Sequence, residues 1–325
     1  MIPQSAPHYV RKDGKMKKRI LSIVLATLLL VSVFAMGGCS KKAEYTELTL
    51  YEGDYSEVTL AHYLVKYLVE DHTDLTVNVK DQMSLTNQFK EATADDPGCD
   101  ILLNYDGTLL GQWLQKDVSD VPEGTSLFDY VKQSIQEQYG AVLLGKVGLN
   151  NTYAIAVMPE TAEAYGLSTV SDLVPVSSEL TFGAESNFFA EDFTDRYWSF
   201  IETYGLTFAD YSSIDINLKY TAIANGNFDV TEVYTTDGLN RKYNLVILED
   251  DMNFFPEYNG VYVTREGLFD DYAETAPNLE EVLEMLTGAI SSDDMVGMTY
   301  AVDVEEQSPS TIAHDFLLEK GLISE

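Results

Sequence analysis

The sequence predicts an α/β fold organised as two lobes, and three observations lead to this prediction. Segments typical of strands and helices alternate over residues 48–105, and the alternation returns over residues 152–248. The 287 residues that follow position 38 are enough for two domains of ordinary size. No repeat, low-complexity stretch or flexible linker separates the two halves, so we expect two lobes with a cleft between them.

The first half reads as strand, helix, strand, helix, strand. The strands are predicted at residues 48–51, 75–79 and 100–105, and the helices at residues 56–68 and 84–94. Ser56 is a candidate N-cap, and Leu60, Leu64 and Leu68 follow it at helical spacing. This order predicts a mostly parallel sheet.

The second half repeats the pattern and then becomes mostly helical. Strands are predicted at residues 152–157, 180–184, 228–234 and 245–248, and helices at residues 196–204, 218–224, 278–290 and 309–320. Gly205 and Gly321 follow two of these helices as stop signals. Ligands of open α/β sheets bind beyond the carboxyl ends of the strands. We therefore expect the ligand near the loops after Leu50, Tyr105, Ala184 and Tyr234.

The charge balance is strongly acidic. The chain has 20 basic and 53 acidic residues, a net charge of −33. Residues 1–38 hold six of the basic residues and one of the acidic ones, which leaves 14 against 52 from Cys39 onward. Such a charge repels nucleic acid and anionic lipid headgroups, so nucleic acid is excluded as a partner, and it attracts cations.

The amino-terminal residues have the pattern of a lipoprotein signal. A basic cluster, residues 16–19, precedes an apolar run over residues 20–34 that has the length of a signal-peptide core. Gly37 and Gly38 then place small residues before Cys39, an arrangement that resembles the lipobox of bacterial lipoproteins. The resemblance implies a signal peptide over residues 1–38, with Met16 as the natural start, and a diacylglycerol on Cys39. A plain membrane anchor is the alternative interpretation.

This interpretation also predicts where the protein resides. Residues 39–46 are then a lipidated tether, and no second apolar run long enough to span a membrane follows them. We expect a lipid-anchored protein on the outer face of the cytoplasmic membrane of a bacterium, most simply a Gram-positive one.

The sequence carries no catalytic or metal-binding motif. Gly-x-Ser-x-Gly, His-Glu-x-x-His and Cys/His clusters are absent, and the four histidines are scattered. Cys99 is the one cysteine besides Cys39 and is predicted to be buried and unpaired. With 53 acidic residues, carboxylate pairs arise by chance and do not indicate a hydrolase. We therefore predict no enzyme, no metal and no cofactor.

Six blocks of sequence resemble one protein family in the same order along the chain. They lie at residues 55–75, 100–108, 148–154, 218–226, 235–238 and 248–256. The chain is similar, over residues 48–322, to the substrate-binding proteins of ABC importers for quaternary amines such as glycine betaine, choline and carnitine.

The resemblance implies a periplasmic-binding-protein fold of type II-like topology. Lobe 1 would comprise residues 44–148 plus 250–325, and lobe 2 residues 149–249. The chain would cross the hinge twice, and the ligand would lie in the interlobe cleft, which closes around it.

A quaternary ammonium group has no N–H donor, so it is bound by aromatic faces rather than by hydrogen bonds. The chain supplies 21 tyrosines against two tryptophans. The resemblance assigns cage positions to Tyr105 and Tyr220, and Tyr197 lies at the spacing of a third.

The fourth cage position departs from the family pattern. The family commonly has Glu-Gln there, often followed by an aromatic residue, whereas this chain has Glu57, Val58 and Thr59. Thr59 then stands at this position, and Tyr55 is the nearby aromatic residue expected to fill the missing wall.

Four polar residues are further candidates. Thr108 and Asn151 are expected to interact with a ligand carboxylate or alcohol. Asp106 and Asp237 are expected beside the cleft, where a carboxylate favours a cation without a carboxylate of its own, such as choline. Asp237 precedes Gly238, so a turn or helix-cap role is its alternative.

These expectations combine into one function. The protein is predicted to capture a quaternary amine outside the cytoplasm and deliver it to an ABC permease and its ATPase. The alternative is a surface sensor that binds another small cationic or zwitterionic metabolite without transport.

Overall fold

The computed structural model describes residues 45–191, 194–216 and 218–324. The predicted signal peptide, the start at Met16, Cys39 and most of the predicted tether lie outside these residues. Within the described part of the chain, no helix is both long and apolar enough to cross a membrane. Cys99 is buried and free, as predicted, and burial raises the pKa of its thiol to about 12.

Strands and helices alternate along most of the described chain. The strands are β1 (Glu47–Tyr51), β2 (Thr76–Lys80), β3 (Ile101–Tyr105), β4 (Val142–Asn150), β5 (Tyr153–Val157), β6 (Thr181–Glu185), β7 (Asp210–Ile214), β8 (Val230–Tyr234), β9 (Val246–Leu248) and β10 (Asn259–Thr264). The helices are α1 (Ser56–His72), α2 (Leu85–Ala92), α3 (Asp106–Thr108), α4 (Leu127–Tyr139), α5 (Pro159–Tyr165), α6 (Tyr197–Tyr204), α7 (Lys219–Ala224), α8 (Gly238–Lys242), α9 (Leu268–Asp271), α10 (Leu279–Glu284), α11 (Ser292–Asp303) and α12 (Pro309–Glu319).

The strands form three sheets, and the expectation of mostly parallel pairing is wrong. β1 pairs with β2 in parallel, β10 lies between β3 and β4 and is antiparallel to both, and the largest sheet has the order β7-β6-β8-β5-β9. In that sheet β6 is parallel to β7 and β8, whereas β5 is antiparallel to β8 and β9. Parallel neighbours need a crossover between them. β10 follows the segment that forms the largest sheet and returns to pair with β3 and β4, and it runs antiparallel to both.

Most predicted elements lie within a residue or two of the observed ones, with three differences. Tyr55, rather than Ser56, is the N-cap of α1, and Ser56 Oγ instead donates to Asp303 Oδ2 at 2.6 Å. The helix predicted over residues 278–290 is the shorter α10. Sequence reasoning also missed the helices α3, α4, α5, α8, α9 and α11 and the strands β4, β7 and β10.

The buried apolar side chains form two main groups. One draws its members from residues 48–149 and 262–317, so the carboxyl-terminal helices pack on α1. The other lies within residues 153–255 and is rich in aromatic rings such as Phe182, Phe188 and Phe200. The lobe boundaries stated above remain a prediction.

His62 is a fully buried residue of α1 that joins two strands. Its Nδ1 lies 2.5 Å from the Tyr51 carbonyl oxygen, and its Nε2 accepts from the Leu103 amide at 2.8 Å. This pattern requires a neutral ring with the proton on Nδ1. Burial lowers the pKa of His62 from 6.5 to about 4.

We expect a pH-dependent loss of stability from His62. Its folded-state pKa lies below the unfolded value, so the unfolded chain binds a proton first as the pH falls. The free energy of unfolding should therefore decrease between about pH 6.5 and pH 4, and His62 adds no further loss below that. Urea unfolding of the wild type and of His62→Gln, which can make both hydrogen bonds, measures this contribution. An equal slope in both proteins would contradict it.

Candidate ligand-binding site

A cavity of about 1870 Å³ lies at the carboxyl ends of strands β3 and β8. We call it the cleft. Tyr105 ends β3 and Tyr234 ends β8, and both line it. Pockets for small ligands measure roughly 300–1,000 Å³. A small ligand in this cleft would therefore touch only part of the lining unless the cleft narrowed around it.

Tyrosines supply much of the apolar wall of the cleft. The lining tyrosines are Tyr55, Tyr105, Tyr153, Tyr220, Tyr234 and Tyr258. The ring of Tyr153 lies 5.2 Å from that of Tyr234 and 6.2 Å from that of Tyr258, to which it is nearly perpendicular at 89°. The rings thus present faces in several directions, as a cage for a rounded cation requires.

Three of these rings already contact cations of the protein itself. The guanidinium carbon of Arg196 lies 4.5 Å from the ring centroid of Tyr153. The Nζ of Lys219 lies 4.5 Å from the ring centroid of Tyr234 and 5.4 Å from that of Tyr220. The tyrosine rings in this part of the molecule are thus positioned so that their faces can contact a cation.

The charged residues of the cleft are mainly acidic. Its lining carboxylates belong to Glu52, Asp54, Glu57, Asp117, Asp120, Asp195, Asp237 and Asp303, whereas its basic residues are Lys116 and Arg196. Low-dielectric walls that carry one sign of charge raise the local concentration of the opposite ion. The cleft therefore favours a cation.

Glu57 connects several walls of the cleft. Its Oε1 accepts from the Tyr105 hydroxyl at 2.5 Å and from Asn151 Nδ2 at 3.1 Å, and its Oε2 accepts from Thr236 Oγ1 at 2.5 Å. Burial raises the pKa of this carboxyl, and the three donors oppose the rise. The Tyr105 hydroxyl also accepts from the Tyr55 hydroxyl at 3.1 Å.

Arg196 supplies a fixed positive group in the lining of the cleft. Its Nη1 pairs with Asp195 Oδ1 at 2.5 Å, and the Tyr258 hydroxyl donates to the other oxygen of Asp195. The Arg196 side chain is 9% exposed. This guanidinium is therefore held in place while it still lines the cleft.

Most of the residues predicted for the site lie together in the cleft. The lining includes Tyr55, Thr59, Tyr105, Thr108, Asn151, Tyr220 and Asp237. Thr59 Oγ1 also accepts from the Gly53 amide at 3.0 Å. Asp237 has its alternative role as well, because it is the N-cap of α8 and accepts from the Leu239 amide at 2.9 Å.

Tyr197 and Asp106 do not line the cleft. Tyr197 is buried in the aromatic core, with its ring 5.0 Å from Phe182 and 4.8 Å from Phe189. Asp106 Oδ1 accepts from the backbone amides of Gly107 and Asn259, both at 2.8 Å, and its Oδ2 accepts from the Asn259 side chain. Asp106 thus ties β3 to β10, and burial raises the pKa of its carboxyl to about 6.

Sequence reasoning missed several cleft residues that carried a signal. Tyr153 belongs to the third family-like block, and Tyr234 ends a predicted strand directly before the loop where ligand was expected. Thr236 lies within the fifth block. Tyr258 and Arg196 have no comparable signal, because their approach to Tyr153 depends on how distant segments pack.

A family model described as the substrate-binding domain of an ABC-type glycine betaine transport system, OpuAC, matches residues 46–319. The chain belongs to the OpuAC family. The resemblance inferred from the six sequence blocks is thereby confirmed.

Individual relatives agree with this family. The chain is 29% identical to the carnitine transport binding protein OpuCC of Listeria monocytogenes, over 93% of this chain and 97% of that protein. It is 30% identical to the ergothioneine transport permease/ergothioneine binding protein EgtU of Helicobacter pylori strain G27, over 69% of this chain but 38% of that protein.

A solved structure agrees with the fold. A crystal structure of a glycine betaine/carnitine/choline ABC transporter aligns with a TM-score of 0.74 and 26% identity, covering 86% of this chain and 99% of that one. The OpuAC-family chain thus has the two-lobed α/β fold of periplasmic solute-binding proteins, as predicted.

Proposed function

We propose that this chain captures a quaternary ammonium compound in the cleft and delivers it to an ABC permease. The observation that carries the proposal is an acidic cleft walled by tyrosines, three of which already contact cations of the protein at their ring faces. Each such face contributes roughly 0.5–2 kcal/mol, so three or four faces at the upper end of that range contribute about 6–8 kcal/mol, which corresponds to a dissociation constant of about 1–50 μM. Choline, glycine betaine and carnitine are the ligands to test, as in the names of the relatives.

The cleft also provides for a ligand that carries a carboxylate. Arg196 offers a planar guanidinium, and Thr108 offers a hydroxyl donor. Betaine and carnitine would use such donors, whereas choline would rely on the acidic residues. The binding step needs no catalysis, so we propose that the protein releases its ligand chemically unchanged.

Delivery requires that the protein stay near its transporter. We propose that a diacylglycerol on Cys39 holds the protein at the outer face of the cytoplasmic membrane, beside the permease and its ATPase. The name of the Helicobacter relative joins a permease and a binding protein in one chain, which supports such a pairing.

Calorimetric titration tests the proposed function. The full-length protein, purified in a non-ionic detergent, is titrated with choline, glycine betaine and carnitine in turn. We expect saturable binding of at least one amine with a dissociation constant in the range of about 1–100 μM. No binding of any of the three, or chemical conversion of a bound amine, would contradict the proposal.

A further inference from the structure

The Glu57 carboxylate lines the cleft, yet its residue is only 2% exposed. Its three hydrogen-bond donors are the neutral side chains of Tyr105, Asn151 and Thr236. A buried carboxylate normally has a basic partner, because an isolated charge in a low-dielectric site is costly. Glu232, another buried carboxylate, has such a partner, because its Oε2 lies 2.8 Å from Lys219 Nζ. Asp106 has only neutral donors, as Glu57 does, but it does not line the cleft.

Within residues 45–191, 194–216 and 218–324, no basic side chain forms an ion pair with Glu57. The carboxylate of Asp237 has the same sign as that of Glu57 and adds to the rise in the Glu57 pKa that burial causes. The site is thus built to keep a negative charge in place by hydrogen bonds while leaving that charge without a counterion. A cation that enters the cleft can serve as the counterion.

We propose that Glu57 is a specificity-determining residue whose buried carboxylate is neutralised by the ammonium group of the ligand. This inference rests on the proposed function. It assigns to Glu57 the selection of positively charged ligands. Because the Tyr105 hydroxyl donates to Glu57, the negative charge also increases the electron density of the Tyr105 ring. The carboxylate therefore strengthens a cation–π contact at that ring.

A proton and the ligand then compete for the same carboxylate. Protonated Glu57 has no charge to offer, so affinity for a cation should fall as the pH decreases. The other titratable groups around Glu57 are Tyr55 before α1, Tyr105 at the end of β3, Asp237 after β8 and Asp303 at the end of α11. A variant at Glu57 itself separates its contribution from theirs.

Four proteins test the proposal in the same titration. Glu57→Gln keeps the shape and removes the charge, whereas Glu57→Asp keeps the charge and shortens the side chain. Glu284→Gln is the control, since Glu284 also accepts from neutral donors, the Gly145 amide and the Thr287 hydroxyl, but does not line the cleft. Binding of an amine by the wild type establishes the proposed function before the variants are compared.

We expect Glu57→Gln to weaken binding of that amine by about tenfold or more at pH 7.5, and Glu284→Gln to change it by less than about threefold. Glu57→Asp should bind more tightly than Glu57→Gln. The reverse order would mean that the shape of the side chain, not its charge, matters, and an unchanged affinity in Glu57→Gln would also overturn the proposal.

Proton release provides a measurement on the wild type alone. The binding heat is recorded from pH 5 to pH 8 in pairs of buffers with different ionisation enthalpies. We expect the ligand to displace protons increasingly toward low pH, and this displacement to decrease in Glu57→Gln. Binding without any proton release across this range would overturn the proposal, even if Glu57→Gln failed to fold.

Discussion

Replacing Lys219 by methionine is expected to lower the free energy of unfolding by about 3–5 kcal/mol. The Lys219 side chain is fully buried at the start of α7, with its Nζ 2.8 Å from Glu232 Oε2 and 3.5 Å from Glu185 Oε2. Burial raises the pKa of Glu232 to about 7, and Lys219 opposes that rise. Without the ammonium group, two buried carboxylates remain without their cation. Urea unfolding at pH 7.5 measures the loss.

An exposed ion pair supplies the matched control. Lys320 Nζ lies 3.1 Å from Asp294 Oδ2, but the two side chains are 38% and 26% exposed. Lys320→Met should therefore cost less than about 1 kcal/mol. Adding Glu232→Leu to Lys219→Met should recover part of the loss, because the uncompensated charge is then gone. A Lys219→Met protein as stable as Lys320→Met would show that the buried cluster does not support the fold.

Replacing Tyr105 and Tyr220 by leucine is expected to weaken amine binding by at least about tenfold each and by about a hundredfold together. Both rings line the cleft while only 4% and 2% of each residue is exposed. Leucine preserves apolar bulk but has no π face, so a cation loses the attraction of each ring. Calorimetric titration with the amine that the wild type binds most tightly gives the affinities.

Tyr197→Leu is the control for the cage variants. Tyr197 is 2% exposed, like Tyr220, and belongs to an aromatic cluster, but it does not line the cleft. Its replacement should reduce stability while leaving the affinity unchanged. Unchanged affinity in both the Tyr105 and Tyr220 variants would show that the cage assignment is incorrect. A large loss in the Tyr197 variant would show instead that the cleft depends on general packing.

The amphipathic elements of the fold were predictable, and the missed ones have weak patterns. α1 has apolar residues at helical spacing, and α6 ends at Gly205, which has a positive φ of 71°. β7, by contrast, is an exposed edge strand with the sequence Asp-Tyr-Ser-Ser-Ile, which has no buried face to produce an alternation. Its existence depends on pairing with β6.

The site was predictable where its residues lie at strand ends or within the family-like blocks. Tyr105 ends β3 and lies in the second family-like block, Asn151 lies in the third, and both were found from the sequence. Tyr197 was assigned from spacing alone, and the structure places its ring against Phe182 because that face of α6 covers the sheet. Which face of a helix meets the core depends on partners that are distant in sequence.

The sequence by itself determined the fold class, the acidic character, the absence of familiar catalytic motifs and the supply of tyrosines, because composition, periodicity and motif order are local properties. The tertiary structure decided which tyrosines share the cleft and which groups surround them. It alone joined Glu57 to Thr236, 179 positions away along the chain, and left that carboxylate without a basic partner among the described residues. Such a pairing follows from the packing of α1 against the end of β8, and no pattern within either segment encodes it.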